Sequence, residues 1–150
     1  MSAVFDRIAV VGLGLLGGSV ALAARSRGVA REVVGATRSS EARAQALADG
    51  AVDRIAPLAQ VARGADLVVL ATPVGAMAAA VRALSPGLAP GCLVTDVGSV
   101  KAPLVDTLPG LLPPGCTYIG SHPMAGSHER GMSHARADLF ERAVCIVMPA

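Results

Sequence analysis

The sequence predicts an α/β fold, a doubly wound, mostly parallel sheet with helices on both faces. Three observations predict it. Apolar, β-type runs alternate with alanine-rich helical stretches along the chain. The first run stops at the closely spaced glycines Gly12, Gly14 and Gly17, and an apolar helical stretch follows directly. Apolar residues make up 53% of the sequence and aromatics only 2%, so Ala, Val, Leu and Ile must fill the core. That suits helices packed closely on a parallel sheet. The 150 residues suffice for one domain, of a size that buries about 70% of its unfolded surface.

Residues 7–11 read as a buried strand and 19–27 as the first helix. Between them Gly12 makes a tight turn, Gly14 lets the backbone approach a pyrophosphate, and Gly17 lets the helix pack on the strand. Leu15 and Leu16 belong to the same cofactor-binding turn. The unpaired N–H groups at the helix start, with the helix dipole, suit an anionic phosphate. A purely structural glycine turn is the alternative. After a turn at 28–31, residues 32–37 form the second strand, whose end sets the choice of cofactor. An acid about 20 residues after the glycines would accept the ribose 2'-hydroxyl. None stands here: the tip reads Thr37-Arg38-Ser39-Ser40, and Glu32 lies at the other end of the strand. Arg38 can pair with a 2'-phosphate while the Thr37 and Ser39 hydroxyls donate further bonds. NADP is therefore the expected cofactor and NAD the alternative. The competing readings are an Arg38 stacked on adenine or solvated, and a Ser39 or Ser40 that only caps the next helix.

That helix spans 41–49 and ends at Gly50; a short strand at 51–55 and a short helix at 57–63 follow. Residues 66–71 form a continuous apolar strand of the kind buried on both faces, ending in Thr72-Pro73-Val74 beneath the expected cofactor. A helix at 76–84, a loop at 86–91 and a strand at 92–96 come next, with Val97-Gly98-Ser99-Val100-Lys101 at that strand's carboxyl end. A proline-rich link at 109–115 leads to a sixth strand at 117–120, and 143–148 reads as the last. Right-handed crossovers turn this order into two mononucleotide-binding halves of one sheet. Ligands in such sheets lie outside the carboxyl ends of the strands, where every segment singled out above is found.

Several classes are excluded. The formal charge of +2 comes almost wholly from arginines spread along the chain, without a basic block or interleaved aromatics, so nucleic acid is not an expected partner. Cys92, Cys116 and Cys145 are odd in number and far apart, which gives neither a disulfide framework nor a metal site; they read as buried small hydrophobes. The uncharged run from Ile8 to Ala24 is broken by glycines and makes a poor membrane span. A cytoplasmic protein with no membrane partner is expected.

The segment Gly120-Ser121-His122-Pro123-Met124-Ala125-Gly126-Ser127-His128 carries the most chemistry. His122 stands before a proline at a strand end, with a restricted backbone and small residues beside it. Its near-neutral titration suits it to take a proton from a hydroxyl while hydride leaves the same carbon. Ser99 reads as a helix cap before Val100. Lys101, the one lysine, either steers anions or sits on a first helical turn. Residues 128–130 are expected to open a short helix, and His134 to face solvent.

Together, Gly12-Leu13-Gly14-Leu15-Leu16-Gly17-Gly18-Ser19, Ala71-Thr72-Pro73-Val74, Asp96-Val97-Gly98-Ser99-Val100-Lys101 and Gly120-Ser121-His122-Pro123-Met124-Ala125-Gly126 resemble the prephenate and arogenate dehydrogenases of tyrosine biosynthesis. The resemblance runs over the whole chain. It implies a Rossmann-type domain and NAD(P)-dependent oxidative decarboxylation of a small molecule, prephenate or arogenate. It implies His122 and Ser99 as catalytic residues on the ring hydroxyl, with Ser127 and His128 beside the substrate. Thr72, Pro73, Val74 and Gly98 would lie against the cofactor. His128 replaces a glutamate that gates the pocket in many relatives. The family's C-terminal helical domain, which forms a homodimer and supplies an arginine for the substrate carboxylate, is expected to be absent from residues 1–150. Two other readings stay open: an NADP-binding module without catalysis of its own, and a Rossmann reductase of another small acid.

Overall fold

The computed structural model describes residues 2–149. Seven strands form one sheet in the order β3-β2-β1-β4-β5-β6-β7: β1 (Phe5–Val11), β2 (Ala30–Ala36), β3 (Arg54–Ile55), β4 (Leu67–Leu70), β5 (Leu93–Asp96), β6 (Thr117–Pro123) and β7 (Cys145–Pro149). The first six are parallel, and β7 runs antiparallel to β6. The helices are α1 (Leu15–Ser26), α2 (Ser40–Ala48), α3 (Val74–Leu84) and α4 (Ala102–Thr107). This is the doubly wound Rossmann-type arrangement, and its strand order reverses between β1 and β4.

The apolar runs are buried on both faces. Ile8 and Val10 of β1 pack on one side with Leu13, Ala21 and Ala24 of α1 and its approach. Ala9 and Val11 pack on the other with Met77, Val81 and Leu84 of α3 and Leu104 and Leu108 at α4. Alternation in a strand sends neighbours to opposite faces, so an uninterrupted apolar run needs helices on both. The register levels the strand ends: Val11 sits opposite Ala36 and Leu70, and Leu70 opposite Asp96. Gly12, Thr37, Ala71 and Val97, each one residue further on, therefore leave the sheet along one rim.

Four local expectations are corrected. Helix α1 begins at Leu15 rather than at residue 19, so Leu15, Leu16 and Gly17 belong to its first turn. The helix expected at 57–63 is a series of turns closed by Gln60 N to Pro57 O and Arg63 N to Gln60 O. Residues 128–130 form no helix; Ser127 Oγ accepts the Glu129 N–H at 3.1 Å, and a single 3-10 turn comes later, at Met132–His134. Strand β6 runs three residues beyond residue 120, because β7 pairs with Ser121, His122 and Pro123 and extends it. Among the described residues no helix is long and apolar enough to cross a membrane.

Candidate active site

The turn after β1 is shaped by close contact. Gly12 has φ +95°, and a Cβ there would meet the Ala71 carbonyl oxygen at 2.8 Å. A Cβ on Gly17 would lie 1.8 Å from the Gly12 oxygen, so only glycine lets α1 sit against the strand at this point. Gly14 is the N-cap of α1, and its Cα faces open space. No side chain caps α1 and no acid stands in its first turn, which leaves the first N–H groups and the positive end of the dipole free for an anion.

Beside this turn, across the reversal of strand order, lies a cleft of about 540 Å³. Its walls are Leu16, the Ala71-Thr72-Pro73-Val74 bend, Val97-Gly98-Ser99, and His122, Pro123, Ala125 and Arg130. The structure thus brings Ser99 and His122 into one cavity with Leu16, Thr72, Pro73, Val74 and Gly98. Thr72 Oγ1 is buried and has no hydrogen-bond partner, a cost that a polar ligand group can remove. Open helical N–H groups, a glycine with open space and an orphaned hydroxyl together fit a dinucleotide across the rim.

Ser127 and His128 are exposed and do not line the cleft. The Ser127 hydroxyl is turned to its own backbone. Ser99 lies ahead of α4, whose N-cap is Lys101, so the cap reading of Ser99 is corrected. Ser39 does cap α2: its Oγ accepts the Ala42 N–H at 3.0 Å. Thr37 Oγ1 accepts the Ser39 N–H at 3.3 Å, while Arg38 is exposed at the same tip. Glu32 is held between Arg7 and Arg54, with Arg54 Nε at 2.8 Å. The Arg54 hydrogen bond, with Arg7 beside it, holds that carboxyl below the usual range.

Lys101 stands at the start of α4, as its N-cap, and the reading that it steers anions is overturned. Its ammonium is 8% exposed and forms an ion pair with the fully buried Asp96. Asp96 Oδ2 also accepts the Gly98 N–H at 2.8 Å, and Oδ1 accepts the Tyr118 hydroxyl at 2.7 Å. One carboxylate therefore ties the end of β5, the Gly98 turn, the start of α4 and β6 into a single joint behind the cleft. Burial pushes the Tyr118 phenol well up, and its bond to Asp96 adds to the shift. The Ser121 hydroxyl donates to the Asp96 carbonyl, fixing β6 one residue before His122. Sequence reading missed Asp96, Tyr118 and Arg130. The buried aspartate after an apolar strand was the signal for the first; the supposed helix at 128–130 concealed the last.

A mostly parallel sheet with this rim and cleft defines a nucleotide-binding domain of the Rossmann type. The family described as prephenate dehydrogenase, nucleotide-binding domain, matches residues 20–150, and the chain belongs to it. It is 37% identical to a Bacillus subtilis prephenate dehydrogenase, over 99% of this chain and 41% of that protein. It is 36% identical to a Zymomonas mobilis cyclohexadienyl dehydrogenase, over 97% of this chain and 50% of that one. Among solved structures, a Synechocystis arogenate dehydrogenase superposes with TM-score 0.88 at 32% identity, over 96% of this chain and 50% of its own. A prephenate dehydrogenase from A. aeolicus, in complex with hydroxyphenyl propionate and NAD+, gives TM-score 0.88 at 31% identity, over 97% and 51%. The chain thus spans about half the length of these relatives, or less.

Proposed function

We propose that this chain is the cofactor-binding half of a prephenate or arogenate dehydrogenase, with NADP as the preferred cofactor. The observation that carries the reading is the meeting of Ser99 and His122 in one cleft with the Thr72 bend and the first turn of α1. The rim glycines and α1 N–H groups hold the diphosphate, and Ala71 to Val74, Leu16 and Gly98 hold the nicotinamide end. When bound, the nicotinamide accepts the hydride. His122 takes the proton of the ring hydroxyl, and Ser99 hydrogen-bonds to the same oxygen and orients it. The carbon that bore the hydroxyl is then a ketone of a cyclohexadienone. Its ring carboxylate leaves as carbon dioxide, and the electron pair of the broken C–C bond completes the aromatic ring. The resulting phenolate recovers the proton from His122. Aromatisation drives the decarboxylation, so the protein's task is orientation and one base.

Arg38 at the β2 tip, with no acid beside it to claim the 2'-hydroxyl, favours a 2'-phosphate. The relatives' greater length supports a second, substrate-completing domain in the complete protein. The deciding experiment is His122→Asn in the complete gene product. Loss of a general base is expected to lower kcat by about 10²- to 10⁴-fold while nucleotide affinity is retained. An unchanged kcat would remove the base from the mechanism.

A further inference from the structure

The cleft has one strong cation and no anion. Of its twelve lining residues only Arg130 carries a guanidinium or ammonium, and none is a carboxylate. The nearby charges are engaged elsewhere. Lys101 is committed to Asp96, and Glu129, the neighbour of Arg130, pairs with His134 Nδ1 at 2.9 Å. Among the described residues no carboxylate lies within ion-pair distance of Arg130.

Arg130 is exposed in a loop, but the chain just beyond it is anchored. Beyond β6 the chain crosses to the start of α1 and is pinned there twice. Met132, 3% exposed, sits on Gly18, where a Cβ would come within 2.5 Å of the methionine sulfur. The Arg136 N–H donates to the buried Ser19 Oγ at 3.0 Å. Arg130 stands two residues before this clasp and on the same cavity as His122. The second glycine of the Gly17-Gly18 pair and the serine after it thereby gain a role: they hold the strap that carries the cation.

We propose that Arg130 receives a carboxylate of the substrate. This rests on the dehydrogenase reading. The rim has its own provision for phosphates in the α1 N–H groups, whereas on the His122 side Arg130 is the one strong cation lining the cleft. A charge-assisted bond between guanidinium and carboxylate is worth about one to two powers of ten in affinity.

The test uses the complete gene product with prephenate and arogenate, comparing Arg130→Gln and Arg130→Lys. The expected result is a KM raised on the order of 10- to 100-fold for Arg130→Gln, a kcat close to that of the unmodified protein, and an unchanged dissociation constant for NADPH. Arg130→Lys should recover part of the lost KM, which a misfolded variant would not. An unchanged KM overturns the assignment, and so does a loss confined to NADPH affinity, which would put Arg130 on the cofactor's phosphates. Absence of turnover in the unmodified protein with both substrates overturns the dehydrogenase reading itself.

Discussion

Asp96 and Lys101 form the one buried ion pair among the described residues, and they do so at the joint on which Gly98 and Ser99 turn. Removing one partner of such a pair strands the other charge in a medium that solvates it poorly. Lys101→Met is therefore expected to cost about 3 kcal/mol or more, measured as a shift in urea midpoint. Tyr118 and Gly98 still donate to Asp96 in that variant, which keeps the loss toward the lower end. Residue chemistry was unevenly legible in the sequence. His122 drew notice before Pro123 at a strand end and Ser99 came only through the family resemblance, and the structure puts both on one cleft. The place of Lys101 at a helix start was legible but its ion pair was not, and only the register of β5 against β6 shows that Tyr118 and Ser121 gather with it around Asp96. Arg130 was hidden for another reason: its place depends on Met132 meeting Gly18, a contact between residues more than a hundred positions apart.

At the level of elements, the proposed reading gives the adenosine end of the cofactor to the β2 tip and the start of α2. Glu32, the acid nearest to this region in β2, is held by Arg7 and Arg54. Ser39 spends its oxygen on the cap of α2, so the proposed NADP preference rests on Arg38. In a titration followed by nicotinamide fluorescence, NADPH is expected to bind more tightly than NADH. Arg38→Asp should reverse the order, since a carboxylate repels the 2'-phosphate and accepts the 2'-hydroxyl. Preference of the unmodified protein for NADH would overturn the NADP reading. Elements were most legible where apolar runs were long, as in β1 and β4, and least where tertiary contact decided. Glycine-rich sequence disfavours a helix locally by about 1 kcal/mol per glycine, yet α1 starts at Leu15, because Gly17 and Gly18 provide close contacts with Gly12 and Met132. The extension of β6 to Pro123 was hidden in the same way, because it needs β7 as a partner.

For the molecule as a whole, the cysteines report how stability is distributed. They were expected to be buried alike, but Cys92 is buried, Cys116 half-buried and Cys145 exposed on β7. Burial pushes the Cys92 thiol from its ordinary 9.0 up to about 11. Labelling with a thiol reagent near neutral pH should therefore modify Cys145 quickly, Cys116 more slowly, and Cys92 only through opening of the whole sheet. The folded state holds the Cys92 proton to higher pH than the unfolded state does. Its contribution to stability is thus complete below 9.0 and is lost as pH rises toward about 11. The upward shift of Tyr118 acts in the same direction, so the urea midpoint should fall across the alkaline range. The levelled strand ends have a further thermodynamic meaning. Because Gly12, Thr37, Ala71 and Val97 leave the sheet from paired neighbours in β1, β2, β4 and β5, the nucleotide site is assembled only when all four strands are in register. A nucleotide that recognises this rim has no counterpart to bind in the unfolded chain, so it acts as a ligand of folding itself. At one hundred times its dissociation constant it would add about 2.7 kcal/mol to the stability of the entire sheet, including strands it never touches.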